Sequence, residues 1–287
     1  MFSRYEGTAW EARFLPRLSS REIAELPKEK ALVILSIGAV EQHGPHLPVM
    51  TDALIGEALL TRTMEKLDTD LPLWLLPPLA YGKSNEHTGF AGTISLSSST
   101  LQHVIMDIAH SLHLSGFRKL LLLNSHGGNV DLLNLVSREI RIATGMTVFY
   151  IMPHQLDSFE DMLTDVEREF GIHGGDYETS LLKAIKPHWV SDAYAVKEIP
   201  DMQKYRYLTL EGKVRFAWKT ADISASGVMG DATSATADKG TLFMERITDQ
   251  LAQALAELCD FDIAQLNSFQ TPKEPHDEIS IHSDRAR

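Results

Sequence analysis

Four short apolar runs alternate with longer segments of helical periodicity along the first half of the chain. The runs are Ala31 to Ile37, Leu73 to Pro77, Lys119 to Leu123 and Met146 to Met152. Each run is brief and apolar at consecutive positions, so both faces of the chain would be buried. This pattern is typical of strands in a parallel sheet that helices cover on both sides.

Five segments repeat apolar residues at intervals of three to four positions and are predicted helices. They are Asp52 to Leu67, Ser99 to Leu114, Asn129 to Ala143, Thr179 to Ile185 and Lys239 to Leu258. Ser98 or Ser99 would cap the second of these helices, because a serine hydroxyl accepts a hydrogen bond from a free backbone N–H of the first turn. The alternation of strand and helix predicts an α/β fold, a three-layer α/β/α sandwich with a mostly parallel central sheet.

The organisation of the rest of the chain is less regular. There is no internal repeat and no low-complexity linker, and we predict a single domain over residues 1–270. Residues 271–287 mix proline with charged and hydroxyl side chains and are predicted to form a polar C-terminal tail. Residues 200–230 have little periodicity, and we interpret them as an excursion over the core or at an oligomer interface.

The composition narrows the class of protein. The 287-residue chain has a formal net charge of -12, which argues against nucleic-acid binding because that function needs a basic face to neutralise phosphates. The one cysteine, Cys259, falls in an apolar pattern and is expected to be buried. The N-terminus lacks the apolar core of a signal peptide, and no stretch reaches the roughly 18 apolar residues that cross a bilayer. We therefore predict a cytoplasmic protein that contacts neither a membrane nor a nucleic acid.

Polar side chains follow two predicted strands at the point where each strand ends. Glu41 and His43 come after the first strand, Asp52 begins the following helix, and His126 comes after the third strand. In an open α/β sheet, ligands bind beyond the carboxyl ends of the strands. Residues two apart in an extended chain point to the same side, so Glu41 and His43 can bind neighbouring ions. A further carboxylate, Glu178, lies near the start of another helix.

Histidine and carboxylate ligands together suit divalent zinc, manganese or iron. Two such ions can share a water molecule, lower its pKa toward neutrality and polarise a carbonyl group, which predicts hydrolysis. From these residues alone other interpretations stay open. A single Glu-x-His is weak evidence for a metal, and His126 could cap a helix. Gly127-Gly128-Asn129 could cradle a phosphate at a helix start, although it lacks the lysine and spacing of a P-loop.

A series of motifs in a fixed order resembles the creatininase family. The motifs are Glu41-Gln42-His43-Gly44-Pro45-His46-Leu47-Pro48, Thr51-Asp52, Tyr81-Gly82, Glu86-His87, Gly89-Phe90-Ala91-Gly92-Thr93, Asn124 to Asn129, Glu178-Thr179-Ser180 and Gly227 to Asp231. The resemblance implies a three-layer α/β/α fold and a homo-oligomer, commonly a hexamer. It also implies two divalent metal ions per subunit, zinc or manganese in most members and iron in some.

The resemblance further implies how the ions are held. Glu41, Asp52 and His126 would bind one ion. His43, Asp52 and an additional carboxylate would bind the other, with Asp52 bridging the two.

One departure from the family pattern concerns that additional carboxylate. Creatininase itself has a glutamate two positions after the histidine that matches His126, and this chain has Gly128 there. We assign the missing ligand to Glu178 of the Glu-Thr-Ser motif, with Asp176 as the weaker candidate. The alternative for Glu178 is that it only caps its helix.

The predicted catalytic residues are His173 and Glu178. His173 matches a family histidine that donates a proton or orients the substrate, and histidine is suited to protonating a leaving nitrogen near neutral pH. A structural loop histidine is the alternative. Glu86 and His87 are expected near the mouth of the site or in loop packing, and His46 is expected to shape a turn or support a ligand.

The predicted function is metal-dependent hydrolysis of a non-peptide C–N bond in a small molecule, in an amide, cyclic amide or formamide. Creatinine itself is not expected as the substrate, because creatininase has tryptophans that close over its substrate and residues 150–175 of this chain contain none. The alternatives are a ring-opening hydrolase of an oxidised cyclitol or a similar C–C or ester substrate, and a non-catalytic, metal-stabilised scaffold.

Overall fold

The structure is a computed structural model that describes residues 5–212 and 214–266. The predicted polar tail, residues 271–287, lies outside the described residues, as do both ends of the predicted domain, residues 1–270. The single-domain organisation therefore stays a prediction. None of the helices in the described ranges combines the length and apolarity that a membrane span requires.

A four-stranded parallel sheet forms the centre of the molecule. Its strands are β1 (Leu32–Ile37), β2 (Leu73–Leu75), β3 (Lys119–Asn124) and β4 (Thr147–Ile151), in the order β2-β1-β3-β4. All four predicted strands are confirmed, each within two residues of its expected ends. The largest difference is in β2, which stops at Leu75 because Pro77 and Pro78 have no backbone N–H to continue the ladder.

Nine α-helices are described in residues 5–212 and 214–266. They are α1 (Thr8–Arg13), α2 (Ser20–Glu25), α3 (Thr51–Lys66), α4 (Ser98–Leu114), α5 (Val130–Thr144), α6 (Asp165–Phe170), α7 (Asp176–Ile185), α8 (Thr220–Ile223) and α9 (Ala237–Asp260). The predicted cap of α4 was wrong by one residue. Ser97 has the extended backbone that an N-cap needs, and its hydroxyl accepts the hydrogen bond from Thr100 N, whereas Ser98 is already helical.

The alternating side chains of β1 divide the core between two layers of helices. Val33 and Leu35 face α4 and α5, whereas Leu32 and Ile34 face α3, α9 and α1. This arrangement confirms the predicted three-layer α/β/α sandwich. Cys259 on α9 is buried in the second layer, as expected from its apolar surroundings.

The segment over residues 200–230 is irregular, as predicted. The elements described in this segment and its flanks, residue 213 aside, are the two-residue strands β5 (Lys197–Glu198), β6 (Leu208–Thr209), β7 (Val214–Arg215) and β8 (Gly230–Asp231), and the four-residue helix α8. Met202 and Leu210 of this segment pack on Phe170 of α6. Met229, just before β8, pairs with His173, so the segment closes over the carboxyl end of the sheet.

Candidate metal centre

The carboxyl end of β1 is pressed against the start of α3. A side chain at Gly38 would come within 2.8 Å of the Ala53 Cα, so only glycine allows this approach. As a result Asp52, the second residue of α3, lies beside Glu41 and His43 of the loop that leaves β1. All three side chains are buried.

Five side chains from four parts of the chain converge at this point. His43 Nε2 lies 3.1 Å from Asp52 Oδ1 and 3.9 Å from Glu178 Oε1. His126 Nδ1 lies 3.0 Å from Asp52 Oδ2 and 3.2 Å from Glu41 Oε1. The structure therefore brings together all five residues that were predicted from the sequence as metal ligands.

The donor set fits two cations. Glu41, Asp52 and His126 offer ligand atoms within 4.8 Å of one another, and so do His43, Asp52 and Glu178. Two atoms bound to one zinc ion at about 2.1 Å in tetrahedral geometry are roughly 3.4 Å apart. Asp52 belongs to both groups and turns one oxygen toward each histidine, the arrangement of a bridging carboxylate.

Unpartnered buried oxygens support the same interpretation. Both carboxylate oxygens of Glu41 and Oδ2 of Asp52 are buried and accept no hydrogen bond from the described residues. A buried carboxylate without a hydrogen-bond donor or a cation costs several kcal/mol. Divalent cations would satisfy these oxygens.

The ionisation of the cluster reflects its surplus of carboxylates. Burial alone would lower the pKa of His43, but the carboxylates of Asp52 and Glu178 raise it to about 10. The pKa of His126 is raised well above its ordinary value in the same way, mainly by Glu41. Burial raises the pKa of Glu178 to about 7, with Asp52 adding to the effect. The negative charge of these carboxylates attracts cations.

His173 stands beside the cluster with a defined orientation. Its Nε2 is 2.6 Å from the backbone oxygen of Gln42, which can only accept, so Nε2 carries the proton. Nδ1 then presents its lone pair toward Glu41 Oε1, 3.7 Å away. Burial, together with the nearby charge of His43, lowers the pKa of His173 well below its ordinary value. The imidazole is therefore neutral at physiological pH.

Gln42 and His87 help to hold this arrangement. Sequence reasoning missed the role of Gln42 and placed His87 at the periphery of the site. The Gln42 amide nitrogen lies 2.8 Å from His87 Nδ1, and the Gln42 backbone oxygen accepts the hydrogen bond from His173 Nε2. His87 is buried rather than at the mouth, and its Nε2 is 3.4 Å from Glu41 Oε1. The Glu86-His87 motif was a signal for the position of His87, and Gln42 lies in the first family motif, although no role was predicted for it.

Two other candidates point elsewhere. Asp176 pairs with Lys239 Nζ at 2.5 Å and accepts a hydrogen bond from Ser180, so it does not enter the cluster. His46 Nε2 is 2.8 Å from the Thr179 hydroxyl, which ties the loop after β1 to α7 and supports the position of Glu178 on that helix. This agrees with the supporting role expected for His46.

The cluster opens into a cavity of about 880 Å³. The irregular segment lines one side of it with Phe216, Trp218 and Lys219. A second cavity of about 540 Å³ shares His173 and Glu178 with the first. Trp218 therefore supplies an aromatic side chain near the site, although no tryptophan lies close to His173 in the sequence.

Sequence comparison identifies the family. The family model of creatininase, described as creatinine amidohydrolase, matches residues 16–255. The chain belongs to the creatininase family. It is therefore a metal-dependent amidohydrolase, and the non-catalytic scaffold is not retained as an interpretation.

Relatives within the creatininase family have different activities. The chain is 32% identical over 248 residues to the mycofactocin precursor peptide peptidase of Mycobacterium ulcerans, covering 84% of this chain and 91% of the relative. It is 29% identical over 266 residues to the creatinine amidohydrolase of Pseudomonas putida, covering 85% and 96%. The structure of the manganese form of creatininase superposes with a TM-score of 0.69 at 27% identity, covering 86% of this chain and 99% of that one.

Proposed function

We propose that the protein hydrolyses a non-peptide C–N bond of a small molecule at a centre of two divalent ions. This proposal rests on the position of Asp52, whose two carboxylate oxygens face two different histidines. One oxygen faces His43, which also lies near Glu178, and the other faces His126, which also lies near Glu41. One ion would be held by Glu41, Asp52 and His126, and the other by His43, Asp52 and Glu178. Zinc or manganese suits these donors, and iron is a further candidate.

Bound divalent ions supply a nucleophilic hydroxide near neutral pH and polarise the carbonyl group that is attacked. The role of the protein is to orient the substrate and to move a proton. Because Nδ1 of His173 is unprotonated and faces the carboxylates, it could accept the proton that the hydroxide still carries after attack and pass it to the leaving nitrogen. Glu178 would contribute to catalysis by holding one of the ions.

Metal content and substrate range test this proposal. Purified protein is assayed for bound zinc, manganese and iron, stripped with a chelator, reloaded, and then tested on cyclic amides, formamides and ketocyclitols. We expect about two ions per chain and metal-dependent release of an amine or ammonia from an amide. Fewer than one tight divalent ion per chain would contradict the two-ion centre. Turnover of ketocyclitols alone would favour the ring-opening alternative.

A second candidate is hydrolysis of a peptide-derived C–N bond. It is favoured by the large cavity of about 880 Å³ and by the similarity to a peptide peptidase. A drug-sized ligand fills a pocket of this order, whereas a small cyclic amide would leave most of it empty. Adding short peptides to the substrate panel distinguishes the two candidates.

Assembly and location remain predictions. We propose a homo-oligomer, a hexamer by the family resemblance, in the cytoplasm. Light scattering coupled to size-exclusion chromatography measures the mass of the assembly directly. A mass near 32.0 kDa, that of one chain, would contradict the oligomer.

A further inference from the structure

The second cavity, of about 540 Å³, continues from the candidate metal centre. It shares with the first cavity not only His173 and Glu178 but also Met152 and His154. A substrate whose carbonyl group reaches the ions would therefore have a path into the second cavity for the part of the molecule beyond the carbonyl. Cavities of roughly 300–1,000 Å³ hold drug-sized ligands, so a small cyclic amide would leave this one unused.

Aromatic rings form one wall of the second cavity. The centroid of the Tyr177 ring lies 5.7 Å from that of Phe159 and 6.1 Å from that of His154. Phe243 packs against both Phe159 and Tyr177, with centroids 4.8 and 5.3 Å away. Leu163 adds aliphatic surface to the lining. Rings attract one another at centroid distances of about 4.5–7 Å, so the ring of a ligand could extend this cluster.

Contacts with α9 hold this aromatic wall in place. Phe159 has a φ of 51°, a left-handed conformation that a bulky residue keeps only where its surroundings enforce it. Arg246 Nε and Nη2 each donate to an Asp157 carboxylate oxygen at 2.7 Å, and the guanidinium carbon lies 5.2 Å from the Phe159 ring centre. Asp157 also accepts a hydrogen bond from Phe159 N. The wall is therefore formed before a ligand binds.

The second cavity offers no free positive charge to an anionic ligand. Apart from histidines, the one cationic side chain in its described lining is Arg168, whose Nη2 lies 2.6 Å from Asp165 Oδ1. Burial lowers the pKa of His154 to about 4, so that its ring is neutral at physiological pH. Glu211, which lines both cavities, would repel an anion. The first cavity differs, because Lys219 lines it.

We propose that the second cavity is the subsite for an uncharged aromatic group of the substrate, attached to the C–N bond that the metal centre hydrolyses. This inference rests on the two-ion centre proposed above. An aromatic ring would pack against Phe159 and Tyr177 and bury its surface against Leu163. A carboxylate or phosphate in the same place would lose its hydration without gaining a cation. The subsite thus selects substrates by the group attached to the amide.

Hydroxamates test the subsite without the natural substrate, because the hydroxamate group binds divalent ions and the group attached to it can be varied. Metal-loaded protein is titrated calorimetrically with acetohydroxamate, phenylacetohydroxamate and succinohydroxamate, which carry a methyl, a benzyl and a carboxyethyl group. We expect phenylacetohydroxamate to bind about 10–100-fold more tightly than acetohydroxamate, the gain typical of burying an aromatic side chain. Succinohydroxamate should show no such gain.

Two tryptophan variants determine which cavity holds the benzyl group. Ser158 is exposed and lines only the second cavity, whereas Ala217 is exposed and lines only the first. Ser158→Trp should abolish the advantage of phenylacetohydroxamate and leave the affinity for acetohydroxamate unchanged. The matched control Ala217→Trp should keep the advantage.

The possible failures of this inference and of the metal centre are distinguishable. Absence of a benzyl advantage in the wild type, its survival in Ser158→Trp, or its loss in Ala217→Trp would each overturn the subsite. In all three cases, binding of acetohydroxamate would leave the two-ion centre intact. Failure of the metal-loaded wild type to bind acetohydroxamate would overturn both.

Discussion

Replacement of Glu167 by alanine should destabilise the protein and loosen the metal centre at once. Glu167 on α6 is buried, and its two oxygens accept hydrogen bonds from Asp176 N at 2.7 Å and Asp231 N at 2.8 Å. It thereby joins the start of α7, which carries Glu178, to β8. The contact is close, since a side chain at Gly230 would come within 2.9 Å of the Glu167 carboxylate.

The size of the effect follows from the two donors that would be left without a partner. Each unsatisfied buried N–H costs about 1–3 kcal/mol, so Glu167→Ala should lower the free energy of unfolding by about 2–6 kcal/mol. The entropy of unfolding of a 287-residue chain is about 0.6 kcal/mol/K at about 2.1 cal/mol/K per residue. The melting temperature should therefore fall by about 3–10 °C.

Differential scanning calorimetry measures this shift, and Glu169→Ala provides the control. Glu169 lies on the same helix with an exposed side chain, so its loss should change the stability by no more than about 0.5 kcal/mol. Metal titration of both variants should show weaker binding only for Glu167→Ala, because the start of α7 positions Glu178. Equal melting temperatures for the two variants would refute the role given to Glu167.

Three further predictions concern the metal centre itself. His173→Ala should reduce turnover by about 10²–10⁴-fold with unchanged metal content, and unchanged turnover would mean that another group moves the proton. Because the pKa of His43 is about 10 without an ion and only the neutral ring binds a metal, affinity for the ion that His43 would hold should rise about tenfold per pH unit from pH 8 to pH 9, above the pKa of about 7 of Glu178. Calorimetry in buffers of different ionisation enthalpy should detect the released proton, and its absence would contradict the assignment. Stripping metal present at about 100 times its dissociation constant should remove about 2.7 kcal/mol of stability per ion and lower the melting temperature by about 4–5 °C per ion, whereas an unchanged melting temperature would argue against a bound ion.

The layered fold could be predicted because each strand and helix is specified by the apolar pattern of its own short stretch of sequence. Buried strands such as β1 and β3 are apolar at consecutive positions, and α5 repeats its apolar residues every three to four positions. Helix ends were predicted less well. Ser97, Ser98 and Ser99 are chemically equivalent caps, and only the backbone conformation at Ser97 decides between them.

The candidate site could be predicted in part. Parallel strands place their carboxyl ends at one edge, so the meeting of Glu41 and His126 follows from topology. The position of Glu178 came from the family resemblance. Neither the strand topology nor the family resemblance located Glu86 beside His126. That contact depends on the path of a loop and on the absence of a side chain at Gly128.

The five converging side chains come from the loop after β1, the start of α3, the end of β3 and the first turn of α7, which are far apart in the sequence. Within the described residues, no short stretch of sequence contains all the proposed ligands of either ion. Metallation should therefore follow folding, with ions entering a chain that has already packed its sheet and helices. The nascent protein would not need metal to fold, and the metal it finally carries would depend on which ions are available in the compartment where it finishes folding.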